Sequence, residues 1–155
     1  MAGNIERRLA ELDVILPPPP PAVAAYAPWV RVGNVVVTSG QLPWRDGKIA
    51  FAGKIGGELT EEQGFQAARL CAINALAQFK AAAGDLDKVR QIFRLEGNVH
   101  SAPGFQGQPK VLNGASELIN QVFGERGRHT RTALGISEMP LNAAVQLSVW
   151  AEVEL

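Results

Sequence analysis

The sequence predicts an α+β domain: one mixed β-sheet with two long helices packed on one face, in the order β-β-α-β-α-β-β. Three observations predict it. From Val145 to Leu155 apolar residues (Val145, Leu147, Val149, Ala151, Val153, Leu155) alternate with Gln146, Ser148, Trp150, Glu152 and Glu154, a strand with one buried face. Two segments, after Thr60 and after Pro109, repeat apolar residues at the helical period. Between β-branched runs stand short turn signals, of which Gly33-Asn34 is the clearest.

In chain order, residues 4–13 read as a short helix, with Ile5, Leu9 and Leu12 at helical spacing and Asn4 as N-cap. The prolines from Pro17 to Pro21 end it by forcing an extended path. Residues 1–21 are therefore expected to form an N-terminal helix and proline-rich extension, and residues 22–155 the main domain. Val30 to Ser39 reads as a hairpin, because Gly33-Asn34 suits a two-residue turn that needs positive φ. Gly40 then lets the backbone bend or approach another group closely. Residues 44–59 are polar and glycine-rich and read as loop with one short strand near Ile49.

Thr60-Glu61-Glu62-Gln63 is a capping box opening a helix to about Ala83, with Ala68, Ala72, Ala75, Leu76 and Phe79 on one face and Gly84 as its stop. Lys88 to Val99 reads as a strand in which Val89, Phe93, Leu95 and Val99 share one parity and Arg90 and Arg94 the other. Pro109 opens the second long helix, whose buried face runs from Val111 to Phe123. Thr130 to Ser137 is a further strand, and Met139-Pro140-Leu141-Asn142 turns the chain into the last one. With helices on one face only, Trp150 points to the other, and part of that face is expected to be covered by a partner chain.

A length of 155 residues fits one domain, and 46% hydrophobic residues supply its core without disulfide or metal. Fifteen basic residues balance fifteen acidic ones, leaving no charge excess for nucleic acid or an anionic membrane. The cluster Arg126, Arg128, His129 and Arg131 is the one local basic patch, and Arg126 and Arg128 read as solvated turn residues. Cys71, the single cysteine, lies in an apolar run and reads as core. His100 and His129 stand apart and make no metal site, so no metal or cofactor is expected. The polar first residues and the absence of a long apolar run point to a cytoplasmic protein with no membrane partner.

Walker, GxGxxG and GxSxG motifs are absent, so chemistry is sought in polar groups placed where apolar ones are expected. Arg131 begins a strand, and its planar fork matches a carboxylate. Asn113 interrupts an apolar helix face beside Leu112. Ser39 sits on the strand-to-glycine turn, and Tyr26 is the only tyrosine. Taken singly, each of these is more often structural than functional.

Together, Tyr26, Val32-Gly33-Asn34, Ser39-Gly40-Gln41-Leu42-Pro43, Asn113, Arg131 and Met139-Pro140 resemble the pattern of the RidA family (YjgF, reactive-intermediate deaminase, or endoribonuclease L-PSP-like), over about Tyr26 to Leu155. The N-terminal helix and proline run resemble a longer subgroup. The resemblance implies a chorismate-mutase-like fold, a homotrimer and sites in clefts between subunits. It implies that Arg131 grips a substrate carboxylate and that Tyr26, Ser39, Gly40 and Asn113 line the same cleft. The implied reaction is hydrolysis of small 2-imino or enamine acids to 2-keto acids and ammonia, without cofactor.

Two positions depart from the family pattern. Gln146 stands where the family has a glutamate six residues after the proline, and Ala133 where it often has a cysteine two residues after the arginine. The cysteine matters less, since the family uses mainly its backbone carbonyl. A glutamine orients water but takes up no proton. The expectation is therefore a deaminase in which Gln146 positions water, or a trimeric binding protein for small keto or imino carboxylates. A ribonuclease is disfavoured by the zero net charge and the lack of an aromatic-basic stripe.

Overall fold

A computed structural model describes residues 3–155. The elements are α1 (Asn4–Glu11), β1 (Trp29–Val32), β2 (Val35–Thr38), β3 (Trp44–Arg45), β4 (Lys48–Ile49), α2 (Glu61–Ala83), β5 (Val89–His100), α3 (Gln108–Phe123), β6 (Thr130–Ile136) and β7 (Val145–Val153). Five strands form one sheet in the order β1-β2-β7-β5-β6. Only β5 and β6 run parallel, so the sheet is mixed, as expected. The alternating segment at the C-terminus is its central strand, with Val145, Leu147, Val149, Ala151 and Val153 buried and Gln146, Ser148, Trp150 and Glu152 half-buried on the opposite face.

Helices α2 and α3 pack against each other and against the β7–β5–β6 side of the sheet. The capping box forms as the sequence predicts: Gln63 N donates to Thr60 Oγ1 at 3.1 Å, and Thr60 N donates to Gln63 Oε1 at 2.8 Å. Gly84, with φ of 80°, ends the helix. At Gly114 α3 lies close against α2, since a Cβ there would strike the Phe65 carbonyl. Helix α2 is buried on a second side as well. Asn74 and Gln78, one turn apart on it, are fully buried beneath the segment that leaves β2.

Three local expectations change. Asn4 is the first residue of α1 rather than its cap; the helix is capped from afar by Asp87, whose carboxylate accepts from Asn4 N and Ile5 N, each at 2.8 Å. Those bonds to the ionised form hold the Asp87 carboxyl below its ordinary pKa. In β5, register shifts between Val89 and Gln91 and between Ile92 and Arg94 break the two-residue period. Ile92 is therefore buried, and Phe93 is only half-buried. Residues 44–49 hold a complete hairpin, β3–β4, closed by Asp46 and Gly47 at φ of 53° and 75°.

Helix α1 lies against α3, and Ile5, Leu9 and Val14 join the main core. Across the sheet from α2 and α3, Val30, Val32 (75% exposed), Trp150 and Leu134 make a partly apolar surface. No helix of the described residues is long and apolar enough to cross a membrane.

Candidate functional site

Strand β6 is an edge strand, and α3 flanks it; this brings Arg131 and Asn113 together. Arg131 Nη1 donates to Asn113 Oδ1 at 2.8 Å and to Ser116 Oγ at 3.1 Å, and Nη2 donates to the Pro109 carbonyl at 3.3 Å. A guanidinium has five N–H donors. Three are engaged here, all by neutral acceptors, so Nε–H and one Nη2–H are left without a protein partner. The half-buried cation is thus oriented but not neutralised, the condition in which it can take a carboxylate.

Ser116 and His129 extend this network; His129 belongs to the local basic patch of the sequence, whereas Ser116 was not singled out. His129 Nδ1 lies 2.6 Å from the Gly127 carbonyl. That oxygen can only accept, so Nδ1 carries the hydrogen in the neutral ring. Nε2 then accepts from Ser116 Oγ at 2.9 Å. The Ser116 hydroxyl, given to His129, presents its lone pairs to Arg131. Ser116 was legible in principle, since it stands three residues after Asn113 and so on the same helix face. The other members of the basic cluster face elsewhere: Arg126 Nη1 donates to the Val89 carbonyl at 2.9 Å, and Arg128 is exposed beside Glu125.

The remaining expected residues gather at the exit of β2. Ser39 Oγ donates to the Ala27 carbonyl at 2.5 Å, and Ser39 N donates to the Pro28 carbonyl at 2.9 Å, which ties the turn to the Tyr26 segment. Tyr26 is 49% exposed and, with Ser39 and Gly40, borders a recess of about 20 Å³. Gly40 touches the side chain of Gln146, and a Cβ there would overlap the amide. Gln146 Oε1 accepts from Asn98 Nδ2 at 3.4 Å.

The two groups stay apart within one chain. Strand β5 lies between β6 and β7, and Arg131 pairs with Leu95 while Gln146 pairs with Asn98. That places their backbones about two strand spacings apart across the sheet and about three residues apart along it, roughly 10 Å in each direction. Arg131 turns to the α3 side, whereas Gln146 alternates with core residues and turns to the opposite face.

Below the β2 exit, a chain of amides fixes the loop. Gln78 Nε2 donates to the Pro20 carbonyl at 2.7 Å and to Gln41 Oε1 at 3.3 Å; Gln41 Nε2 donates to the Ser39 carbonyl at 3.0 Å. Asn74 Nδ2 donates to the carbonyls of Leu42 and Trp44 at 3.0 and 3.1 Å. Cys71 is fully buried, and burial pushes its thiol well above the ordinary value, which suits core rather than nucleophile. Among the described residues no cluster of His, Cys, Asp and Glu suits a metal ion.

Comparisons with known proteins bear on the family and the fold. Residues 6–153 match the family described as "YjgF/chorismate mutase-like, putative endoribonuclease". Protein TCP17 of Trypanosoma cruzi is 39% identical over 153 residues, covering 98% of this chain and 96% of that protein. A crystal structure of an endoribonuclease-like protein from Shewanella oneidensis superposes with a TM-score of 0.94 at 38% identity, over 97% of this chain and all of that one. A protein of unknown function from Agrobacterium tumefaciens superposes at 0.91 with 45% identity, over 97% and 93% of the two chains. The match spans nearly the whole chain, α1 included, and the chain belongs to the YjgF/RidA family, with its chorismate-mutase-like fold.

Proposed function

We propose that the protein is a homotrimer that hydrolyses small reactive 2-imino and enamine acids to 2-keto acids and ammonia in clefts between its subunits. The observation that carries this reading is Arg131: a half-buried guanidinium oriented by the neutral acceptors of Asn113, Ser116 and Pro109, with donors to spare. Arg131 and Gln146 lie on opposite faces of one sheet, so one small ligand meets both only where two copies adjoin. The partly apolar surface carrying Val32, Trp150 and Leu134 supplies area for such an assembly.

In this reading the substrate carboxylate binds Arg131 of one subunit, and its C=N carbon lies beside Ser39, Gly40 and Gln146 of the next. Water adds to that carbon, the proton it loses reaches nitrogen through solvent, and the carbinolamine collapses to ketone and ammonia. Gln146 orients the water by hydrogen bonds and holds no proton itself. A general base contributes about 10²–10⁴-fold to such a step, so catalysis here rests on binding and orientation.

The same residue favours a second reading, a binding protein for small keto or imino carboxylates. One experiment separates them. Imino acids generated by an amino-acid oxidase are trapped with semicarbazide, and suppression of trapping is measured for wild type, Arg131→Ala and Gln146→Glu. Suppression by wild type but not by Arg131→Ala supports the deaminase. An inert wild type with an active Gln146→Glu supports the binding protein. Inert proteins throughout, or a monomer by light scattering, overturn the cleft reading.

A further inference from the structure

The prolines after α1 do more than lead the chain to the sheet. They form one wall of a groove of about 920 Å³ whose opposite wall is Trp44 with the β3–β4 turn and whose floor is the outer side of α2, at Leu70 and Ile73. Its lining is mostly apolar, and proline rings set on a restricted backbone make that wall rigid. The groove shares Pro20, Pro21, Val23 and Trp44 with the recess bordered by Tyr26, Ser39 and Gly40. The two spaces therefore adjoin along those residues.

The recess alone, at about 20 Å³, has room for about one water molecule. A ligand whose reacting carbon sits there has to send any bulk elsewhere. The shared wall is also fixed in place: the Pro20 carbonyl accepts from buried Gln78, which bonds Gln41, which bonds the Ser39 carbonyl. The distance from the prolines to Ser39 is thus set by buried amides rather than by a free loop.

We propose that this groove receives the side chain of the ligand, so that the protein selects 2-imino and 2-oxo acids with large apolar, above all aromatic, side chains. The proposal rests on the carboxylate site of the preceding section. It follows from contact chemistry: a flat ring fits between rigid proline rings and the Trp44 indole, and aromatic side chains bury more area than any others. The charges at the rim, Arg45 and Arg69 with Asp13 and Asp46, balance, so the groove itself adds no demand for a second anionic group.

The test is calorimetric binding of pyruvate, 2-oxobutanoate, 4-methyl-2-oxopentanoate and phenylpyruvate to wild type, Trp44→Ala, Ile73→Gln and Arg131→Ala. Affinity is expected to rise about fourfold per buried methylene, and phenylpyruvate to bind at least about 30-fold more tightly than pyruvate. Ile73→Gln should remove most of that preference and leave pyruvate binding unchanged, which also reports that the variant is folded; Trp44→Ala, at a residue that borders the recess as well, should weaken phenylpyruvate more than pyruvate. Equal affinity along the series, with all binding lost in Arg131→Ala, overturns the groove and leaves the carboxylate site standing. Phenylpyruvate binding that survives Arg131→Ala overturns the proposal too, because the groove would then bind apart from that site. Failure of every 2-oxo acid to bind overturns the site and the groove together.

Discussion

Gly40 and Gln146 are in van der Waals contact, and no side chain fits between them. Adding one methyl group at position 40 drives the Gln146 amide out of place. Gly40→Ala is therefore expected to leave the thermal midpoint within a few degrees of wild type, since a flexible side chain end is what gives way. Its effect on imine hydrolysis should be at least tenfold. Equal turnover in wild type and Gly40→Ala, measured by semicarbazide trapping, would remove Gln146 from the reaction.

Arg131 makes three bonds from the two terminal nitrogens of its planar fork. Arg131→Lys keeps the charge and loses the fork, and is expected to weaken 2-oxo acid binding by 1.5–3 kcal/mol on the scale of charge-assisted bonds, about 10- to 150-fold. Ser116→Ala and Asn113→Ala each remove one support and should cost less, about 3- to 10-fold. Calorimetric titration checks the order, and a lysine variant that binds like wild type contradicts the bidentate geometry.

At Gly114 the obstacle to a Cβ is the Phe65 backbone carbonyl, which cannot rotate away. Gly114→Ala forces α2 and α3 apart, and overpacking of this kind costs about 1–3 kcal/mol or more. Urea denaturation should show that loss despite the better helix propensity of alanine.

Asp87 stabilises α1 in its ionised form. Its folded pKa lies below the unfolded one, so this contribution is complete above the ordinary aspartate value of 3.8 and disappears as pH falls through the lower folded value. Asp87→Ala is expected to cost about 1 kcal/mol at pH 7, the usual loss for a helix cap. The gap between variant and wild type should close as the pH is taken below 3.8. A constant gap from pH 7 to acid would show that the carboxylate charge is not what caps the helix.

Much of the fold was legible because it obeys simple periods. Thr60 and Gln63 announce α2, and the alternation from Val145 to Val153 announces the central strand. The reading of β5 failed at Phe93 because two bulges shift the parity, and a bulge leaves no apolar signature of its own. The β3–β4 hairpin did leave one, since Asp46-Gly47 is a strong two-residue turn signal inside a stretch read mostly as loop. At the site, Arg131 and Asn113 stood out as polar interruptions, and the structure joins them. Ser116 did not stand out, since a hydroxyl on a buried face is ordinary alone, and His129 stood out only as one member of the basic cluster. Gln78 and Asn74 are the more instructive case: two amides one turn apart in an alanine-rich buried helix mark a place where backbone carbonyls come down onto that helix.

The remote cap of α1 also sets an order of events during synthesis. The helix has eight residues, too few to hold together alone in water, and its capping carboxylate lies 83 positions later in the chain. A ribosome releases Asn4–Glu11 long before Asp87, so the segment emerges unstructured and waits for α2 to form behind it. This segment is then among the last to settle, and the proline run that follows it holds the intervening chain extended.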